Sequence, residues 1–103
     1  MVEIRGARLI RKGNGKQTSD RIAWDNLACD LAASLPKTWA VAGIGDGAQY
    51  RVIVASGERH WTKEWPEATP PDAEAAFAEL LTDGSQPLGS IERLIKDYAT
   101  EAA

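Results

Sequence analysis

The chain has 103 residues, a net charge of −3, 44% hydrophobic and 26% charged residues, and a single cysteine. That is the size and composition of one globular domain with one small core, and it excludes an internal disulfide and an intramolecular zinc-cysteine cluster. No apolar run reaches the roughly 18 residues of a membrane span, and Met1-Val2-Glu3-Ile4-Arg5 lacks the apolar stretch of a secretory signal, so a cytoplasmic protein is expected.

In chain order, Val2 and Ile4 alternate with Glu3 and Arg5, which predicts a first strand over 2–11 with a bend at Gly6. Lys12-Gly13-Asn14-Gly15-Lys16 reads as a turn or loop. A helix is expected over 20–35, capped by Ser19 and stopped by Pro36. Its apolar face repeats at three-to-four spacing through Trp24, Leu27, Ala28, Leu31 and Leu35. Residues 38–65 read as a three-stranded antiparallel meander, with Asp46-Gly47 and Ser56-Gly57 at its turns. On its third strand Arg59, Trp61, Lys63 and Trp65 share a face, His60 and Thr62 take the other, and Pro66 ends it. Thr69 with Pro70 and Asp72 opens a second helix whose inner face is Ala73, Ala76, Phe77, Leu80 and Leu81, with Gly84 as its stop. A third helix is expected over about 90–101, with Ile91, Leu94, Ile95 and Tyr98 as an apolar stripe joined by Leu88. The fold expected is a single α+β domain over 1–103, of order β-α-β-β-β-α-α, with a four-stranded antiparallel sheet and three helices mainly on one face.

The residue inventory weighs against catalysis. One histidine and one cysteine at unrelated positions do not make a metal site or a Cys-His pair. Cys29 sits mid-helix beside the apolar stripe, and His60 stands between Arg59 and Trp61, where packing or surface roles are expected. Gly13-Asn14-Gly15-Lys16-Gln17-Thr18 departs from a phosphate loop: Ile10 stands where the first glycine belongs, and Gln17 follows the lysine instead of Ser or Thr. No enzyme activity, metal or cofactor is expected.

Charge and aromatics supply the binding candidates. Residues 1–63 carry a net +4 and residues 64–103 a net −7. The basic stretch Arg5, Arg8, Arg11, Lys12 and Lys16, continued by Arg21, is suited to phosphates or an acidic protein surface; equally, it suits an edge strand blunted by charge. Arg59, Trp61, Lys63 and Trp65 combine cations with aromatics, as a stacking platform, an interface anchor or rings packed on a helix. The second helix presents Asp72, Glu74 and Glu79 as an acidic face, which suits a basic protein channel or a solvated helix surface.

Residues 49–103 run hairpin, capped helix, Gly/Pro-containing link, then Leu88-Gly89-Ser90-Ile91-Glu92-Arg93 opening the last helix. In size, acidity and element order this half of the chain resembles the small phage-encoded anti-CRISPR proteins that inhibit type I surveillance complexes. The resemblance implies a non-enzymatic inhibitor in the host bacterial cytoplasm that docks on a multisubunit CRISPR ribonucleoprotein and blocks DNA binding or nuclease recruitment. It assigns no individual interface residue. Residues 20–82 also have the α-β-β-β-α order of a double-stranded RNA-binding domain, although Pro70, Pro71, Asp72 and Glu74 stand where that family carries lysines. A protein partner is therefore the first expectation, nucleic acid at the basic strand and Trp/Arg/Lys face the alternative, and no membrane.

Overall fold

A computed structural model of the chain describes residues 6–14, 18–46, 49–66 and 69–101. The elements are β1 (Arg8–Asn14), α1 (Ser19–Ser34), β2 (Ala40–Asp46), β3 (Gln49–Ser56), β4 (Arg59–Pro66), α2 (Ala73–Thr82), β5 (Gln86–Pro87) and α3 (Ser90–Glu101). The fold is α+β with three helices, as expected, but its sheet has five strands and is mixed, in the order β1-β2-β3-β4-β5.

Two differences correct the four-stranded antiparallel expectation. β1 pairs with β2 in parallel, from Arg8 against Ala40 to Asn14 against Asp46. The cause is α1: its 16 residues carry the chain back along the sheet, so β2 starts at the same end as β1. The fifth strand, Gln86–Pro87, adds antiparallel to Arg59 and His60 at the start of β4 and is too short to leave a periodic signal. The meander β2-β3-β4 is antiparallel, in the register Val41–Val54–Trp61. β1 also lies later than expected, because Lys12, Gly13 and Asn14 continue the strand; the expected strand at residues 2–5 and the loop at 15–17 lie outside the described residues, as do positions 47–48 of the Asp46-Gly47 turn.

The caps move by local competition. Thr18, not Ser19, caps α1: its Oγ1 accepts a hydrogen bond from the Arg21 N–H at 3.0 Å. Asp72, not Thr69, caps α2, accepting from the Ala75 N–H at 2.7 Å. Pro70-Pro71 holds the preceding residues extended, which delays the first helical turn.

The helices lie on both faces rather than mainly on one. α1 and α2 cover the face of Val41, Val52, Val54 and Tyr50, forming a core with Trp24, Leu27, Leu31, Ala76 and Leu80. At its centre Trp24 stacks on Tyr50 (ring centroids 5.4 Å apart) and lies 5.2 Å from Trp65. This close seat of α1 needs glycine below it. A Cβ on Gly43 would stand 2.2 Å from the Tyr50 hydroxyl, and one on Gly45 2.3 Å from the Arg21 guanidinium. The freed space holds the buried Arg21 and the Tyr50 hydroxyl, which donates to Asp25 Oδ1 at 2.7 Å. α3 lies on the opposite face, over a smaller cluster of Ile10, Ala40, Ala42, Ile53 and Ala55.

Gly43→Ala is expected to lower stability by about 1–3 kcal/mol in urea unfolding, because the added methyl displaces the Tyr50 ring from Asp25. The loss should shrink in a Tyr50→Phe background, where the clashing oxygen is gone. Burial, then the hydrogen bond and charge of Asp25, push the Tyr50 phenol far above its ordinary value of 10.0. Folding therefore favours the neutral phenol; the stability it contributes is complete below pH 10.0 and is lost as pH rises beyond it. Unfolding followed by circular dichroism at rising alkaline pH should show a steeper loss in the wild type than in Tyr50→Phe.

Candidate functional site: an apolar groove beside helix α3

The residues marked by the sequence are dispersed by the fold, and several are occupied. Trp65 is buried against Trp24, with Lys63 Nζ 5.7 Å above its ring. Trp61 is half-buried and stacks on Trp39 at 5.6 Å, next to Phe77 of α2. Arg59 donates to the Ser85 hydroxyl at 2.9 Å and the Ser85 carbonyl at 2.7 Å, tying the segment after α2 to β4. Asp72 is a helix cap, and Glu74 and Glu79 are exposed on α2. This cation-aromatic strip faces α1 and α2, so its two rings are packing surface with little free face.

Of the basic stretch, Arg5 and Lys16 lie outside the described residues. Arg11 and Lys12 are exposed on opposite faces of β1, and Arg8 is half-buried on the same face as Lys12. Arg21 is not a surface cation: it is buried over Gly45. Among the described residues, no three His, Cys, Asp or Glu side chains converge on a point suited to a metal, and no helix is long and apolar enough to cross a membrane.

The sequence did not mark the feature that stands out in the structure. The apolar stripe expected on α3 forms, but most of it faces outward: Ile91, Leu94 and Tyr98 are 64%, 68% and 58% exposed. Only Ile95 turns in to join the Ile10 and Ala42 cluster, with Leu88 and Ile44 beside it. Ile91, Leu94 and Tyr98 follow at i, i+3 and i+7 and form a ridge along one flank of the helix. Between that ridge and the sheet runs a groove of about 230 Å³, floored by Ile10, Ala42 and Ile44, with Lys12 as the charged group in its lining.

Polar contacts at the N-terminal half of α3 fix the helix in this position. His60, 5% exposed on β4, sets Nε2 3.6 Å from Glu92 Oε1. Arg93 bonds Glu58 at 2.8 Å, and Lys96 Nζ donates to the Gly57 carbonyl. These contacts hold α3 at the β3–β4 turn. On the β1–β2 side the groove opens between Ile91, Leu94 and Tyr98 of the helix and Ile10, Ala42 and Ile44 of the sheet. The cluster below it is built from alanines and isoleucines, which leave less to pack against than the tryptophan core on the other face.

Comparison with protein-family models, with curated proteins and with solved structures finds no match for this chain.

The ridge and the anchor of α3 separate cleanly by mutation. Leu94→Ser is expected to change folding stability by no more than about 0.5 kcal/mol, as for an exposed site. Ile95→Ser should cost about 2 kcal/mol or more by placing a hydroxyl in the small cluster. Chemical denaturation of the two variants checks both values.

Proposed function

We propose that this chain is a non-enzymatic binding module that takes a protein partner on the α3 ridge and its groove. One observation carries the reading: three large apolar side chains stand more than half exposed beside a hollow lined by further apolar groups. Apolar surface left in water forgoes about 25 cal/mol per Å², and contiguous patches of this kind mark interaction sites. The ridge has the i, i+3, i+7 spacing and the aliphatic-aromatic mixture of an interface centre.

The partner's chemistry follows from the groove's surroundings. Its lining includes Lys12; Arg8 lies two residues from Ile10 on the same face of β1, and Arg11 on the far face of the same strand. Arg8 and Lys12 form no ion pair among the described residues. An apolar segment flanked by carboxylates complements this surface. Nucleic acid ranks lower, because the rings that would stack on bases are taken: Trp65 by Trp24, Trp61 by Trp39.

Such a module is an adaptor or an inhibitor. The resemblance to anti-CRISPR proteins names one partner to try, a purified type I surveillance complex. Size-exclusion chromatography of the mixture is expected to show co-elution. Leu94→Glu, which puts a charge on the ridge, should weaken the interaction at least about tenfold, or about 1.4 kcal/mol. For partners captured from a bacterial lysate, the same variant is the control. If wild type and Leu94→Glu retain the same proteins in the same amounts, the ridge is not the docking surface.

A further inference from the structure

We propose that the partner segment is bound in extended form, as an added strand on the outer edge of β1, with acidic and apolar residues in alternation. This rests on the reading of the ridge and groove as a protein-docking face, and it assigns a conformation and a sequence pattern to what docks there.

The sheet order makes β1 an edge strand. Its inner side is paired with β2 along seven residues, and among the described residues no strand pairs with its outer side. An edge of that length offers unpaired backbone donors and acceptors to an incoming strand. A strand laid there would sit about 4.8 Å beyond β1, with alternate side chains on opposite faces. On one face lie the groove floor at Ile10 and the α3 ridge, and α3 packs across β1 as well as β2. Side chains on that face meet apolar surface. On the other face the nearest cation is the exposed Arg11. Lys12 and Arg8 stand on either side of Ile10, within reach of carboxylates at the ends of the segment. Apolar residues toward α3 and acidic residues toward Arg11 therefore give strict alternation.

The same charges select against the chain's own copies. Two β1 edges brought together would face Arg8, Arg11 and Lys12 with their counterparts, which repels a symmetric pair. An acidic strand meets attraction at the same positions. The outer edge of β4 is the other place for a strand to add. There β5 already covers Arg59 and His60, Pro66 closes the far end, and Lys63 and Glu64 present both signs. The α3 groove is lined by Ile10 and Lys12 of β1 and by no residue of β4.

The test uses labelled octapeptides alternating glutamate with valine, titrated against the full chain by fluorescence anisotropy, with backbone amide shifts recorded by NMR. Saturable binding is expected, with shifts concentrated in residues 8–14 and at Leu94. Replacing every glutamate by lysine should weaken binding at least tenfold, and so should Arg11→Glu in the protein. The diagnostic pair is two N-methylated peptides, one methylated on the glutamates and one on the valines. Only alternate N–H groups of an added strand face β1, so one peptide should lose at least tenfold and the other should bind as the parent does. Equal binding of both, equal binding of the lysine peptide, or tighter binding by a helical peptide of the same composition overturns the proposal. So does a single-stranded oligonucleotide that takes the β1 edge where the acidic peptide does not. If no peptide binds while Leu94→Glu still abolishes partner capture, the added strand is wrong and the docking ridge stands. If Leu94→Glu leaves capture intact, the ridge itself is wrong.

Discussion

The seat of α1 on the sheet is the constraint from which the rest of the structure follows. Gly43 and Gly45 leave two hollows in β2, and the Tyr50 hydroxyl and the Arg21 guanidinium fill them. With any larger residue there, the helix would have to rise, and Trp24 would part from Tyr50 and Trp65. Because the helix lies low, three aromatic rings close the centre of the core and α2 completes it with Ala76 and Leu80. A polar network under such a lid must be satisfied within the protein, and the Tyr50–Asp25 bond contributes to that.

The two faces of the sheet are therefore unequal. One holds the aromatic core under two helices. The other is shallow, built from Ile10, Ala42, Ile53 and short alanines, and α3, with Leu88 before it, packs on it. One helix of 12 residues cannot cover four strands, and its polar anchors, Glu92 to His60 and Arg93 to Glu58, hold it toward the β3–β4 turn. Over β1 and β2, where α3 also packs, Ile95 reaches the sheet while Ile91, Leu94 and Tyr98 stay exposed beside the groove. The groove lies between the tethered helix and the β1–β2 side of the sheet.

Much of this was legible from residue spacing. The α1 stripe, the meander and the bounds of α3 follow from periods of 3.6 and 2, which are local properties. The parallel pairing of β1 was not, since nothing in residues 8–14 records the direction of a neighbour that comes 32 positions later in the register. β5 was too short to show. At the candidate site the spacing of Ile91, Leu94, Ile95 and Tyr98 was read correctly as one apolar stripe, but a stripe does not say how wide a surface it will meet. Conversely, Arg59, Trp61, Lys63 and Trp65 alternate as a cation-aromatic face should, and the covering of that face by α2 is a tertiary fact. On the α3 side of the meander Ala40, Ala42 and Ala55 are small, and such residues give a covering helix little to pack against.

The constant 32-residue offset between β1 and β2 also bears on how the molecule assembles. The meander's strands are joined by short connections and close at little entropic cost, whereas β1 can be joined only after α1 has formed and turned the chain back. Of the described ladders, the one between β1 and β2 therefore closes the longest connection and carries the largest loop-closure cost. A strand recruited to that margin would add its hydrogen bonds beside the ladder whose closure costs the most.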